Sequence, residues 1–485
     1  MTPVDPLCPF AAARDAPEGL CLVCPAEGVR ETFGTMALRV AAAQTALRGA
    51  GVNPGDRVAV LASNRATTVV ALWAVASCGA TAVLVPPRLT PREAEALLRD
   101  ALPRLSLDDA GLDVLLGGSP AGEVGPTADL DPETILAMVY TSGTTGRPKG
   151  ALLSRRAFAA SAAASAQRLG WRGDDRWVLC MPVCHVGGLS VLTRCLAARR
   201  PVVLLPRFDP EAVLGAIAGE GGTLVSVVPT MAQGLMEADR GEVLRALRVM
   251  LIGGAACPPA LRAALAARGV SAVPTYGLTE ACSQVATPSP DGAASALDVP
   301  GHVGRPLDGI RVQTVDPQGA PCPPEAVGRI LVGGPTLLSG YWGDPPRREA
   351  WFDTGDLGAL QPDGSLVVVG RGDDLIVTGG ENVYPQEVEA ALLGCPAVEG
   401  ALVFGVEDPR WGHAVAAALV MARDPAGADE GPLGAVLAHL RGTLAGYKRP
   451  RYVAVVEALP TLPSGKPDRR GAGRLLAGRL RSWAG

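Results

Sequence analysis

What this sequence lacks first is a basic surplus. Its 485 residues include 44 Lys and Arg against 48 Asp and Glu, a formal net charge of −4. No general electrostatic attraction therefore draws it to nucleic acid or anionic lipid. It also lacks an uninterrupted apolar span. The most membrane-like window, residues 69–85, is broken by Ser77, Gly79 and Thr81 and stopped by Pro86 and Pro87, so it reads as a buried helix turning into a strand. The N-terminus, Met1-Thr-Pro-Val-Asp-Pro6, has neither the basic segment nor the apolar core of a secretory signal. There are 11 cysteines but no framework. Cys21 and Cys24 have metal-like spacing, yet no second Cys/His pair is placed to complete four ligands. Reduced, mostly buried thiols in a cytoplasmic protein are the expectation. Internal repeats and low-complexity tracts are absent too.

What is present is a large globular composition. Hydrophobic residues make up 48% and charged ones 19%, which places the chain among folded proteins. The length implies two to four domains, and 60 glycines with 43 prolines imply many tight loops. Helical spacing over residues 31–50, a buried strand at 58–62, a helix at 67–78, a strand at 82–85 and a helix at 91–102 capped by Thr90 form an alternating series. Such alternation predicts a parallel, doubly wound sheet, with ligands beyond the carboxyl ends of its strands. A second series begins near Arg176, with strands at 177–182, 202–205, 224–228 and 249–252 and a helix at 189–198. From Pro300 the pattern changes to short strands with turns at 310–315, 329–332 and 365–369, which predicts a small β-barrel-like unit. The expected fold class is α/β. Two doubly wound subdomains (residues 1–175 and 176–299) and the barrel-like part (300–370) form a large N-terminal domain, and residues 371–485 a small mobile α+β domain.

The densest chemical signal follows the apolar run 135–140. It reads Thr141-Ser-Gly-Thr-Thr-Gly-Arg-Pro-Lys-Gly150. Glycine allows close backbone approach, and consecutive N–H groups with hydroxyls and a lysine make a polyphosphate cradle. It is not a Walker loop, because Lys149 is flanked by Pro148 and Gly150. Gly253-Gly-Ala-Ala256 is a second place where backbone can lie flat against a ligand. In Thr275-Tyr-Gly-Leu-Thr-Glu280 an aromatic, a hydroxyl and a carboxylate suit purine stacking, a phosphate contact and a Mg²⁺ ligand. Taken alone, Tyr276 is equally a packed core aromatic. Asp356 can accept from a ribose diol or serve as an Asx-turn residue. Lys466, between Gly465 and Pro467, is by itself a surface lysine.

Six segments in this order resemble the adenylate-forming superfamily of acyl-CoA synthetases, adenylation domains and luciferases: 141–150, 276–280, 354–356, 370–371 with the hinge after it, 379–382 and 463–466. The resemblance spans nearly the whole chain. It implies that ATP activates a small-molecule carboxylic acid as an acyl-adenylate, after which a thiol, usually that of CoA, displaces AMP. It assigns Thr141, Ser142, Gly143, Thr144, Thr145, Gly146 and Lys149 to the β,γ-phosphates, and Thr279 to the α-phosphate. Glu280 would hold Mg²⁺. Gly254, Ala255, Tyr276 and Gly277 would lie along the nucleotide, and Asp356 and Arg371 on the ribose. Lys466 would be the catalytic cation of adenylation, Asp373 the pivot, and Gly379 and Gly380 the pantetheine channel. One departure is Arg329, which stands where relatives often carry Glu. Within the superfamily the likeness is strongest to the o-succinylbenzoate–CoA ligase family of menaquinone biosynthesis. It implies an acyl pocket of His185, Gly253 and Ser283, with Arg194 pairing a substrate carboxylate or, failing that, lying on a helix surface. Other aryl- or acyl-CoA ligases and a carrier-loading adenylation enzyme remain open. Homodimers are common for such folds.

Overall fold

The computed structural model describes residues 5–117, 130–141, 148–292, 299–378, 381–422, 431–462 and 467–483. Two mixed sheets form the body. The first has the strand order Gly340–Tyr341, Lys149–Ser154, Ile135–Thr141, Thr81–Val85, Arg57–Leu61, Leu105–Leu107. Its last four strands are parallel, as the alternation of apolar strand and helix predicts. The helix Ala66–Ser77 between them is buried on nearly every face and belongs to the core, not to a membrane. No helix among the described residues is long and apolar enough to cross a membrane. Thr90 caps the helix Pro91–Ala101, as read from the sequence, and the structure adds a reciprocal box with Glu93.

The second sheet runs Ala272–Pro274, Val249–Ile252, Leu224–Val227, Trp177–Leu179, Val202–Leu204, Leu20–Cys24, Val29–Thr32. Its first six strands are parallel neighbours, and the last closes an antiparallel edge. Two elements pair far from their neighbours in sequence. Leu20–Cys24 joins Val202–Leu204, and Gly340–Tyr341 joins Lys149–Ser154. Sheet membership therefore does not follow chain order.

The strand at Trp177 is shorter than its apolar run, because a side chain replaces the ladder beyond Leu179. Asn64 Nδ2 donates to Met181 O and Leu205 O at 3.0 Å, and Val183 N donates to Asn64 Oδ1 at 3.0 Å. Asn64 follows the strand Arg57–Leu61, so this buried amide ties the carboxyl ends of strands from the two sheets together. The next helix begins at Val186 rather than Leu189, with His185 as its N-cap.

The barrel-like segment is a four-stranded antiparallel sheet in the order Arg311–Val315, Gly328–Gly333, Trp351–Leu360, Leu366–Arg371. Among the described residues its outer strands do not pair with each other. Arg329 forms an ion pair with Asp353 across it. The C-terminal part is an α+β sheet around the long antiparallel pair Val398–Asp408 and Gly412–Met421, covered by the helices Pro385–Leu393, Gly431–Thr443 and Arg469–Leu476.

Candidate active site

In the second sheet, parallel strands end at residues 179, 252 and 274, and each is followed by a candidate segment. These are His185, then Gly253 with Gly254 and Ala255, then Tyr276 to Ser283. In the first sheet, Ile135–Thr141 ends at the phosphate-loop candidate. Asn64 shows that these edges adjoin. Crevices at such edges are where doubly wound sheets bind ligands. Thr141 and Lys149 face one another across an antiparallel hairpin. Ser142, Gly143, Thr144, Thr145 and Gly146 lie outside the described residues, as do Gly379, Gly380 and Lys466.

Lys149, Tyr341 and Glu280 form one group. The Lys149 ammonium stands 5.1 Å from the centroid of the Tyr341 ring. Tyr341 Oη donates to Glu280 Oε1 at 2.9 Å. Sequence reasoning missed Tyr341, whose two-residue strand Gly340–Tyr341 has no periodicity to reveal it. Glu280 sits on the 3₁₀ turn Thr279–Ala281 and is half-buried. No other hydrogen bond or cation reaches its Oε2 among the described residues. No cluster of three His, Cys, Asp or Glu side chains occurs among them either. That donor set fits Mg²⁺, which takes one carboxylate and completes its shell with phosphate and water.

A second group surrounds Asp356. Tyr276 Oη donates to Asp356 Oδ2 at 2.6 Å, and Arg371 Nη1 lies 3.3 Å from Oδ1. The two strands place Asp356 and Arg371 directly opposite each other. Burial raises the Asp356 carboxyl above its usual range; the Tyr276 and Arg371 contacts only partly offset this, and Glu280 adds to it. Tyr276 is pushed up in turn, mainly by burial and then by Asp356, so its phenol stays a donor. Its ring packs at the edge of the core formed by Leu307, Ile310 and Ile330. The two readings of this tyrosine are therefore compatible. Gly277 must lack a side chain, because a Cβ there would lie 1.8 Å from Ser283 O.

The third group is the candidate acyl pocket. Arg194, on the helix Val186–Ala198, is 2% exposed, which removes the helix-surface alternative. Its Nη2 donates to Ser283 Oγ at 3.1 Å, its guanidinium stands 5.5 Å from the Trp177 ring centroid, and its Nε has no partner. No carboxylate pairs with it among the described residues. Burial lowers its pKa to about 10, still cationic at neutral pH. His185 is exposed at the mouth of the same helix. Asp373 is on the turn Gly372–Asp374 and receives a 2.8 Å hydrogen bond from Arg470.

Residues 10–342 match the family model described as AMP-binding enzyme, and residues 387–466 match the AMP-binding enzyme C-terminal domain. The chain belongs to the AMP-binding enzyme family. Among relatives of this family member, a 2-succinylbenzoate–CoA ligase from Bacillus velezensis is 37% identical over 444 residues, covering 88% of this chain and 89% of the relative. A feruloyl-CoA synthase from an Amycolatopsis species is also 37% identical, over 461 residues and 90% and 92% of the two chains. The solved structure of o-succinylbenzoate CoA synthetase from Bacillus subtilis, in complex with the acyl-adenylate intermediate OSB-AMP, superposes with a TM-score of 0.84. It is 31% identical and covers 96% of this chain and 97% of that one. ATP-bound MatB from Rhodopseudomonas palustris gives 0.87 at 28% identity, over 97% and 99% of the two chains.

Proposed function

We propose that this chain is an AMP-forming acid–CoA ligase whose acid is o-succinylbenzoate, serving menaquinone biosynthesis in the cytoplasm. A substrate carboxylate oxygen attacks the α-phosphorus of ATP and pyrophosphate leaves, giving an acyl-adenylate. The CoA thiol then attacks the acyl carbonyl, loses its proton and expels AMP. Relatives named for CoA ligation, at 37% identity over most of the chain, support the reaction class. So does the likeness to the Bacillus subtilis synthetase in complex with OSB-AMP, and to the same protein with ATP and magnesium.

The roles we assign are those that the resemblance implies. Thr141, the loop after it and Lys149 hold the leaving phosphates, and Thr279 contacts the α-phosphate. Glu280 holds Mg²⁺, which supplies charge neutralisation on the phosphates when bound. Asp356 already accepts from Tyr276 and faces Arg371. A carboxylate offers about four acceptor sites, so two remain for ribose hydroxyls. Lys466 supplies a cation during adenylation. Residues 371–485 form a separate unit that swivels about Asp373, bringing Gly379 and Gly380 to the thiol.

The observation that carries the choice of acid is Arg194: buried, cationic, and without a carboxylate partner among the described residues. An unpaired buried cation costs several kcal/mol, and a second carboxylate on the substrate relieves that cost. Feruloyl-type acids have no such group, although the feruloyl-CoA synthase relative is equally identical. The test is CoA-dependent AMP release across a panel containing succinylbenzoate, benzoate, ferulate, malonate and a medium-chain acid. Preference for succinylbenzoate supports the reading. Equal or better turnover of a monocarboxylate overturns it.

A further inference from the structure

Tyr341 stands at the junction of two parts of the candidate site that the motifs describe separately. Its strand pairs with Lys149–Ser154, with Tyr341 opposite Ala151, and Trp342 N donates to Gly150 O at 2.8 Å. The ring is thereby fixed two residues from Lys149, whose ammonium lies over it at 5.1 Å. The hydroxyl donates to Glu280 Oε1 at 2.9 Å, while Leu338 N donates to the main-chain oxygen of Glu280 at 2.9 Å. One short segment thus holds both the backbone and the side chain of the metal carboxylate.

We propose that Tyr341 is a positioning residue that couples the metal carboxylate to the phosphate-loop lysine. Its hydroxyl occupies Oε1 of Glu280 and leaves Oε2 for the divalent cation. Its ring seats the Lys149 ammonium on the same support by cation–π attraction. The inference rests on Glu280 being the Mg²⁺ ligand of the proposed reaction, and it makes Tyr341 specific for the metal–polyphosphate end of the nucleotide rather than for AMP.

The test compares dissociation constants for MgATP and for AMP without metal, measured calorimetrically on the full chain. Tyr341→Phe removes one oxygen and keeps the ring. Loss of a partner that orients a metal ligand typically costs about tenfold or more in metal affinity. MgATP binding should therefore weaken about tenfold while AMP binding is unchanged. In a Glu280→Gln background, Tyr341→Phe should have no further effect, as expected of coupled residues. Tyr341→Leu, which also removes the seat for Lys149, should weaken MgATP more than Tyr341→Phe and again spare AMP. Unchanged MgATP affinity overturns the proposal. So does equal weakening of AMP, which marks a merely structural role, or a full additional loss in the Glu280→Gln background. These binding constants are independent of the acid panel: a wild-type chain that binds MgATP but activates no acid sinks the proposed reaction and leaves this inference to its own result.

Discussion

Tyr276 and Asp356 are joined by a 2.6 Å hydrogen bond between positions 80 residues apart. The bond holds a buried carboxylate that burial pushes up and Arg371 pulls back. Such a group is preorganised for hydroxyl donors and has lone pairs to spare. Asp356→Asn keeps the shape and removes the charge. Two charge-assisted hydrogen bonds lost at about 1.5–3 kcal/mol each would raise the KM for ATP by about 10²–10⁴-fold. ATP–pyrophosphate exchange kinetics read this directly. An unchanged KM would take Asp356 off the ribose.

Arg194 makes a sharper prediction, because its effect depends on the acid. Truncating one partner of a buried, hydrogen-bonded charge pair costs about 2–5 kcal/mol. Arg194→Ala should raise the KM for succinylbenzoate on the order of 10²-fold by that measure, and alter benzoate far less. Arg194→Lys should not restore the diacid, since a lysine lacks the planar fork that both Ser283 and a carboxylate can use. Steady-state kinetics with the two acids decide it. Equal effects on both would remove Arg194 from the pocket.

The parallel body was legible because its strands are short apolar runs between helical segments. Pro385–Leu393 and Val249–Ile252 fall where the residue pattern places them. Trp351–Leu360 was not legible as a strand. Asp353, Thr354, Gly355 and Asp356 are turn-forming residues, and here Gly355 takes φ +71 within a ladder whose register shifts. The strand nonetheless carries Asp356 to Tyr276 and Arg371, so tertiary pairing overrides the local propensity. Tyr341 and Asn64 were invisible for a different reason. Each is a single side chain whose partners lie 61 and more than 100 residues away, and no local pattern encodes such distances. Asp356, Tyr276 and Arg371 were each legible as candidates, but their mutual contacts required the fold.

Lys466 lies outside the described residues, but the two feet of its loop are fixed. Thr461 bridges to Pro467, and Asp468 N donates to Pro460 O at 2.9 Å. In the proposed reaction Lys466 supplies a cation to the adenylation transition state. Removing one preorganised contact of that kind typically costs ~10²–10³ in rate. Lys466→Ala should slow pyrophosphate exchange by that factor and leave the transfer of a chemically prepared acyl-adenylate to CoA unchanged. Equal slowing of both half-reactions would mean that the lysine serves the fold rather than adenylation.

Glu389 and Arg469 form the half-buried ion pair that fastens the helix behind that loop. Arg469 Nη2 lies 2.5 Å from Glu389 Oε2, and Val403 N donates to Oε1 at 2.8 Å. Despite these partners, desolvation dominates and raises the Glu389 pKa from 4.5 to about 6. The folded chain therefore binds this proton more tightly than the unfolded chain does. Between about pH 6 and pH 4.5 the native state holds a proton that the unfolded state has released, so this group adds stability as pH falls through that window. At about 1.4 kcal/mol per pKa unit the full contribution is about 2 kcal/mol. It is present below pH 4.5 and lost as pH rises through about 6. Glu389→Gln cannot titrate, so its baseline loss is the same at every pH and only the difference from wild type carries the signal. Urea unfolding of the two proteins at pH 7 and pH 5 should show that difference growing in favour of the wild type at the lower pH. A constant difference would mean that the Arg469 contact just balances burial, leaving the folded pKa at its unfolded value. A difference that shrinks on acidification would mean that the folded pKa lies below the unfolded one, with the ion pair itself supplying the stability.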